Sequence, residues 1–281
     1  MSQARTGRRL LGEGCQLRGF RLRLGHRSAG ALKRSTVTHL RKIYIRAREG
    51  VPGNTNCFAA YDGFREMGVE IAWFEESSEL PGLEDLGSEV GVHGFVGNVH
   101  QALRRLGASV PAALDYPDSL RGFLGREVRQ TTLREVREST DPVFVKPMEH
   151  KLFTGFVFDG CAGARMRLAT HESSTQVWVS DVVEFVAEYR VFVLDGEILD
   201  ARRYTGRWDV ALPFRSEIER AVREYAGAPR AYALDFGVTG DGAQLLVEAN
   251  DGFALGNYGL SSIPYAKMID ARWEELTRSL A

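Results

Sequence analysis

The sequence predicts a mixed α/β and α+β protein of two successive lobes: a small parallel α/β lobe at residues 42–115 and a larger lobe of antiparallel sheet at residues 116–281. Three observations predict it. Strand-like and helix-like patterns alternate up to Leu106, and after Pro142 β-rich runs follow one another at hairpin spacing. A chain of 281 residues, 44% hydrophobic and 26% charged, is also long enough for two lobes sharing a continuous core.

Residues 1–41 stand apart, because Arg5, Arg8, Arg9, Arg18, Arg21, Arg23, Arg27, Lys33, Arg34 and Arg41 face a single acid, Glu13. Arginine-rich, acid-poor leaders resemble transit peptides or polyanion-binding tails, but this run lacks sustained helical amphipathicity. We read it as a disordered extension, or as upstream sequence translated from too early a start.

From Lys42, the β-run Lys42-Ile43-Tyr44-Ile45-Arg46 leads through the turn Pro52-Gly53-Asn54 to a helical pattern at Phe58, Tyr61, Phe64 and Met67. Val69 to Phe74 predicts a second strand and Val90 to Val96 a third, followed by a helix around His100 to Leu106. The glycine turn Gly94-Phe95-Val96-Gly97-Asn98 lacks a full GxGxxG and reads as a tight strand-to-helix turn rather than a dinucleotide fingerprint. Short helices are predicted at Leu120 to Leu124 and Thr132 to Arg137. Predicted strands then run from Val143 to Lys146, Leu152 to Phe158, Met166 to Thr170, Val177 to Val183, Tyr189 to Leu194, Ile198 to Tyr204, Tyr232 to Val238 and Leu245 to Asn250. Asp195-Gly196 and Gly240-Asp241-Gly242 mark hairpin turns, and Ser216 to Tyr225 and Tyr265 to Leu276 read as helices.

A net charge of -1 provides none of the basic excess that drives phosphate-backbone binding, which argues against nucleic acid as a partner. No apolar run approaches the roughly 18 residues that span a bilayer, so the sequence predicts a soluble protein without a membrane partner. Cys15, Cys57 and Cys161 are widely spaced and form no CxxC, which suits a reducing cytoplasm better than a zinc site or a disulfide framework. No GxSxG elbow, Walker A loop or HExxH helix occurs, and His93, His100, His150 and His171 read as structural or surface residues.

The most informative segment is Leu246-Val247-Glu248-Ala249-Asn250. Alternation along a strand puts Glu248 and Asn250 on one face, and the Gly240-Asp241-Gly242 hairpin brings Asp235 to that face across the ladder. Asp, Glu and Asn oxygens suit Mg2+, which completes its shell from water and nucleotide phosphates. Taken alone, such residues more often mark solvated strand ends and a turn than a metal site. Upstream, Lys146 ends an apolar strand and Lys151 precedes Thr154-Gly155, offering point charges and close backbone approach to phosphate. Glu188 and Arg190 share a face after the apolar connector Asp181-Val182-Val183, and Arg202 lies on the next strand of the Asp195-Gly196 hairpin. The glycine-rich tail Asp251 to Gly259 and Arg126 can each face a substrate, or be ordinary loop and surface residues.

The ordered set VFVKP, KLFTG, a hinge ending in EYRVFV, then LDFGV and LVEANDGFALGNYG resembles the ATP-grasp superfamily, in a compact clade where arginines take over part of the usual lysine role. The resemblance runs from about Lys42 to the C-terminus. It implies an ATP-grasp fold with a pre-ATP-grasp lobe and an ATP-binding lobe, and ATP and Mg2+ as cofactors. It puts Lys146 and Lys151 on phosphates, Asp181, Val182, Val183 and Glu188 on the nucleoside, and Asp235, Glu248 and Asn250 on Mg2+. Arg190, Arg202 and Lys146 would stabilise the transferred phosphoryl group, with Arg203 replacing Arg202 if the register slips by one residue. The short phosphate loop is a departure from the superfamily pattern. The implied activity is that of an ATP-dependent carboxylate-amine ligase, joining a small-molecule or peptide carboxylate to an amine acceptor through an acyl phosphate. A small-molecule phosphotransferase and an inactive nucleotide-binding module are the alternatives.

Overall fold

In the computed structural model, which describes residues 38–82, 85–149, 152–210 and 215–280, the first lobe is organised by β1 (Lys42–Arg48). Period-two alternation buries Ile43, Ile45 and Ala47 on one face of β1 and leaves Lys42, Tyr44 and Arg46 half-buried on the other. β1 pairs in parallel with β3 (Glu70–Phe74) and β4 (Val90–His93), and turns through Glu49-Gly50, both at positive φ, into the short antiparallel β2 (Val51–Pro52). Parallel pairing requires crossover connections. From β1 to β3 the chain crosses through α1 (Thr55–Glu66), whose first turn is capped by the Asn54 side chain, and from β3 to β4 through a 3-10 helix, Ser77–Gly82; α2 (Val96–Leu106) follows β4 and ends on left-handed Gly107.

The second lobe carries two antiparallel sheets. The first joins β5 (Val128–Thr132), β8 (Gln176–Ser180), β6 (Val143–Pro147) and β7 (Phe156–Phe158) in that order. Its buried face packs Val145, Phe158, Val177 and Val179 on α3 (Leu133–Glu138) and α4 (Ala162–Leu168). The other sheet has the order β10 (Glu197–Gly206), β9 (Phe185–Leu194), β11 (Ala231–Thr239), β12 (Gln244–Asp251). Its central strands are buried on both faces. Phe192, Leu194, Ala231 and Ala233 join the core of the first lobe, while Val191, Val193, Tyr232, Leu234 and Phe236 join a second core with α5 (Arg215–Glu224). The last helix, α6 (Ser262–Thr277), returns to pack on α1 and fills the shared core with Tyr265, Met268, Ile269 and Trp273. This sheet therefore binds the two lobes into one body. Among the described residues no helix is long and apolar enough to cross a membrane.

Several local expectations are corrected. The third strand stops at His93, because Gly94 and Phe95 turn the chain and Val96 already opens α2. Met166 to Thr170 is not a strand: residues 162–168 form α4, which buries Ala164 and Leu168, one helical turn apart. An apolar run this short does not distinguish helix from strand. Of Leu152 to Phe158, only Phe156–Phe158 pairs. The helix expected at 120–124 is a 3-10 helix, Asp118–Phe123, and the one expected from Thr132 begins at Leu133 after β5, a strand hidden by its exposed Arg129 and Gln130. In α1 the buried face is Cys57, Ala60, Gly63 and Phe64, so Phe58, 56% exposed, lies outside the core. The basic extension expected at residues 1–41 lies, as far as residue 37, outside the described residues.

Close packing of α1 on α6 depends on Gly63, where an added Cβ would lie 2.1 Å from the Ser262 carbonyl oxygen and 2.8 Å from Ala266 Cβ. Alanine raises intrinsic helix propensity by about 1 kcal/mol, yet backbone cannot yield as a side-chain tip does. Gly63→Ala is therefore expected to destabilise by about 1–3 kcal/mol, lowering the melting temperature by several degrees. An unchanged or raised melting temperature would contradict this packing.

Candidate active site

The two antiparallel sheets of the second lobe meet the first lobe at a cleft of about 1240 Å³. Its floor is built by register. Arg202 of β10 lies opposite Arg190 of β9, Arg190 opposite Asp235 of β11, and Asp235 opposite Glu248 of β12. Directly opposed residues share a sheet face, so these four form one row across the sheet. Asn250, two residues beyond Glu248, shares that face.

Polar contacts tie this row to the other sheet. Lys146 of β6 donates from Nζ to Glu248 Oε2 and to Asp115 Oδ1, and Trp178 Nε1 donates to Asp115 Oδ2 at 2.9 Å. Asn250 Nδ2 donates to Glu248 Oε1 and Asp235 Oδ2, each at 3.1 Å, which leaves Asn250 Oδ1 without a hydrogen bond among the described residues. Arg190 grips Asp235 with two bonds, Nε to Oδ1 at 2.8 Å and a terminal nitrogen to Oδ2 at 2.6 Å. The Arg190 guanidinium also lies 4.9 Å from the Tyr258 ring centroid, and Tyr258 stacks on Tyr204 at 4.9 Å. Tyr204 Oη donates to Glu188 Oε2 at 2.6 Å.

Burial and partners pull these charges in opposite directions. Burial works against the Lys146 ammonium, but the Glu248 and Asp115 carboxylates outweigh it and hold its pKa above the ordinary value. Burial would raise Glu248, yet Lys146 and Asn250 bring its pKa below the usual value. Asp235 is almost wholly enclosed, and burial pushes it up to about 6 against the opposing pull of Arg190. Arg190 is itself held above its ordinary value by Asp235, although burial opposes its charge.

The candidate residues distribute as follows. Lys146, Arg190, Glu248 and Asn250 line the cleft. Asp235 sits beneath it, with both oxygens on Arg190 and one shared with Asn250. Arg202 is in the row but outside the cleft lining, its guanidinium held by Asp200 at 2.5 Å; Arg203 is exposed on the opposite face. Asp181, Val182 and Val183 form the connector from β8 to β9, where Asp181 accepts a bond from the Glu127 backbone. These three and Glu188 lie outside the cleft lining, and Lys151 and His150 lie outside the described residues. Thr154 and Gly155 line the cleft, as do Phe253 to Gly256 and Tyr258 of the glycine-rich tail. Arg126 caps the carbonyls of Leu124, Leu246 and Val247 and is thereby committed to the protein's own backbone. His93 is packed edge-on against Tyr265.

Asp115 escaped the reading of the sequence. It lies in a connector without periodicity, and it reaches the floor because its backbone forms an isolated bridge with Ala249. Trp178 lies in an expected strand and Tyr258 in the glycine-rich tail, but no local pattern predicts their partners Asp115 and Arg190.

A profile described as an ATP-grasp domain, family 2 of its clade, matches residues 123–268, just over half of the chain. The chain belongs to the ATP-grasp family. Solved structures of ATP-grasp fold agree with that membership. One is the ATP-grasp ligase PsnB complexed with a minimal precursor, at 16% identity and a TM-score of 0.51, covering 83% of this chain and 99% of that one. Another is the D-alanine–D-alanine ligase of Bacillus anthracis complexed with ATP, at 14% identity and a TM-score of 0.55, covering 85% and 98%. A third is the N5-carboxyaminoimidazole synthetase of Staphylococcus aureus, at 11% identity and a TM-score of 0.57, covering 85% and 79%. Among curated proteins no sequence matches significantly. The matched residues of this ATP-grasp chain run through both antiparallel sheets into α6, and the first lobe precedes them.

The Arg190–Asp235 pair is the most enclosed charge pair of the floor. Breaking a buried pair by removing one partner costs roughly 3–5 kcal/mol, and Arg190→Met is expected to lower the melting temperature accordingly. A carboxyl whose folded pKa is raised contributes stability that is present at low pH and lost as pH rises through that pKa, here about 6. Without the guanidinium the pKa rises further, so the deficit of Arg190→Met relative to wild type is expected to be larger at pH 8 than at pH 5. Equal deficits at the two pH values would contradict this assignment.

Proposed function

We propose that this protein is an ATP-dependent carboxylate-amine ligase that forms an amide or peptide bond through an acyl phosphate. The observation that carries the reading is the placing of Lys146 from one sheet against Glu248 and Asn250 from the other, at the floor of a cleft shared with the first lobe. A cation that polarises phosphate and a hard-oxygen pair that suits Mg2+ then face the same space.

The residues fit the cofactors in a specific way. Mg2+ is bound by one or two carboxylates and takes the rest of its shell from phosphates and water. Glu248 and the unbonded Asn250 Oδ1 suit that division, and among the described residues no group of three or more His, Cys, Asp or Glu side chains is arranged to hold a metal by itself. Asp235 supports the pair from beneath by orienting Asn250. The bound cation would neutralise phosphate charge. Lys146 would orient the phosphates, with the Thr154-Gly155 backbone above them and Lys151 as a second phosphate residue, and Asp181 to Val183 and Glu188 would hold the nucleoside.

Phosphoryl transfer to a carboxylate needs positioning and charge stabilisation more than a dedicated base. Arg190 stands beside Glu248 and is shielded by the Tyr258–Tyr204 stack, where it would stabilise the carboxylate oxygen as it accepts phosphate. The tail at Phe253 to Gly256 lines the same cleft, where an amine would approach the activated carbonyl and displace phosphate. Arg202 would contribute charge from the outer end of the row. The PsnB and D-alanine–D-alanine ligase neighbours make a peptide or small-molecule carboxylate and an amine a reasonable substrate class, and a cytoplasmic supply of ATP suits the reaction.

The test compares thermal melts of wild type and Glu248→Gln with and without Mg-ATP. At about a hundred times its dissociation constant, nucleotide should add roughly 2.7 kcal/mol, or several degrees. Glu248→Gln is expected to lose the magnesium-dependent part of that shift, and with it turnover, while keeping its fold. A full shift in the variant would overturn the metal assignment. Product analysis of wild type should then give amide plus free phosphate; a stable phosphorylated product would instead indicate a phosphotransferase.

A further inference from the structure

Asp115 is built into the floor more firmly than a connector residue requires. It is 7% exposed, and each carboxylate oxygen has its own partner, Lys146 on one side and the Trp178 indole on the other. Its backbone oxygen accepts the Ala249 N–H at 2.8 Å, which fixes it beside Glu248 and Asn250. Its φ is +44°, a left-handed conformation that L-residues other than Asn and Asp adopt at a cost.

The consequence is electrostatic. Lys146 is held between two carboxylates, so the charge it would offer a phosphate is already more than matched. Among the described residues, Asp115, Glu248 and Asp235 set against Lys146 and Arg190 leave the floor one unit negative. Nearby, Asp251 shares Arg272 with Glu275, while Glu149 and Arg104 add one charge of each sign to the lining. A polyphosphate arriving alone meets a repulsive floor, whereas one accompanied by a divalent cation brings enough positive charge to reverse it.

We propose that Asp115 is a positioning residue which, by holding Lys146 against Glu248, makes nucleotide binding depend on the divalent cation. The proposal rests on the nucleotide site described above. Removing the Asp115 charge should let metal-free ATP bind more tightly and Mg-ATP no more tightly, so the two affinities converge. A residue with a merely structural role would weaken both alike.

The experiment is calorimetric titration of the full chain with ATP in excess Mg2+ and with ATP in EDTA, for wild type, Asp115→Asn and Asp118→Asn. Asparagine tolerates positive φ and keeps one acceptor oxygen for Trp178, while its amide nitrogen cannot accept from Lys146, so the variant frees the ammonium on that side and keeps the backbone turn. Asp118, whose side chain is 89% exposed, controls for the loss of one surface charge. In Asp115→Asn the ratio of the EDTA to the Mg2+ dissociation constant is expected to fall about tenfold relative to wild type, the scale of one unit charge acting through a partly screened interior. In Asp118→Asn the ratio should stay at the wild-type value. An unchanged ratio in Asp115→Asn, or a parallel loss of both affinities, overturns the role given to Asp115. Failure of wild type to bind Mg-ATP would overturn the nucleotide site itself, and the wild-type titration alone reports that.

Discussion

The contact of Lys146 with Asp115 and Glu248 is the interaction on which the rest of the site depends. It joins the two antiparallel sheets through charged groups, beside the apolar core that Val128 and Trp178 of the first sheet share with Val191, Leu234 and Leu246 of the other. Two carboxylates and an ammonium in a half-buried space are favourable only if each remaining oxygen is also satisfied. Trp178 and Asn250 meet that condition, and Asn250 passes it on to Asp235 and hence to Arg190. A chain of polar contacts thus runs from one sheet to the far side of the other, and changing one member alters the orientation of the next.

The backbone explains why this chain can be held in place. Strands β9 and β11 are buried on both faces and serve the cores of both lobes, so the residues Arg190 and Asp235 that they present to the cleft stand on the least mobile part of the molecule. At the far end of β12, Arg272 of α6 holds Asp251 with two bonds at 2.7 and 2.6 Å, fixing the strand end beyond Asn250. The tail then bends back, and the Asn257 N–H donates to Asn56 at the start of α1. The wall of the cleft is in this way anchored to the first lobe.

Much of this was legible in the sequence, and the boundary of legibility has a physical basis. Strand alternation put Glu248 and Asn250 on one face, and two tight hairpins placed Asp235 and Arg202 in register with their neighbours; Asp195-Gly196 takes positive φ at both positions, as such a turn requires. These are short-range rules. None of them gives the partners of Asp115, Trp178 and Tyr258, since each reaches the site through contacts with residues far away in sequence. The same limit explains α4, where Met166 and Leu168 fit the period of a strand while Ala164 and Leu168 fit that of a helix, and packing on Leu133 and Val136 decides for helix. The engagement of Arg126 with the carbonyls of β12 was equally invisible, because it needs the fold to bring Leu246 to it.

A crystal structure of the full chain with Mg2+ and a non-hydrolysable ATP analogue tests this site most directly. The cation is expected on Glu248 and Asn250, with Lys146 turned from Asp115 and Glu248 onto a phosphate oxygen. Nucleotide bound away from this floor, or bound with Lys146 still fixed to both carboxylates and no cation at Glu248, would contradict it.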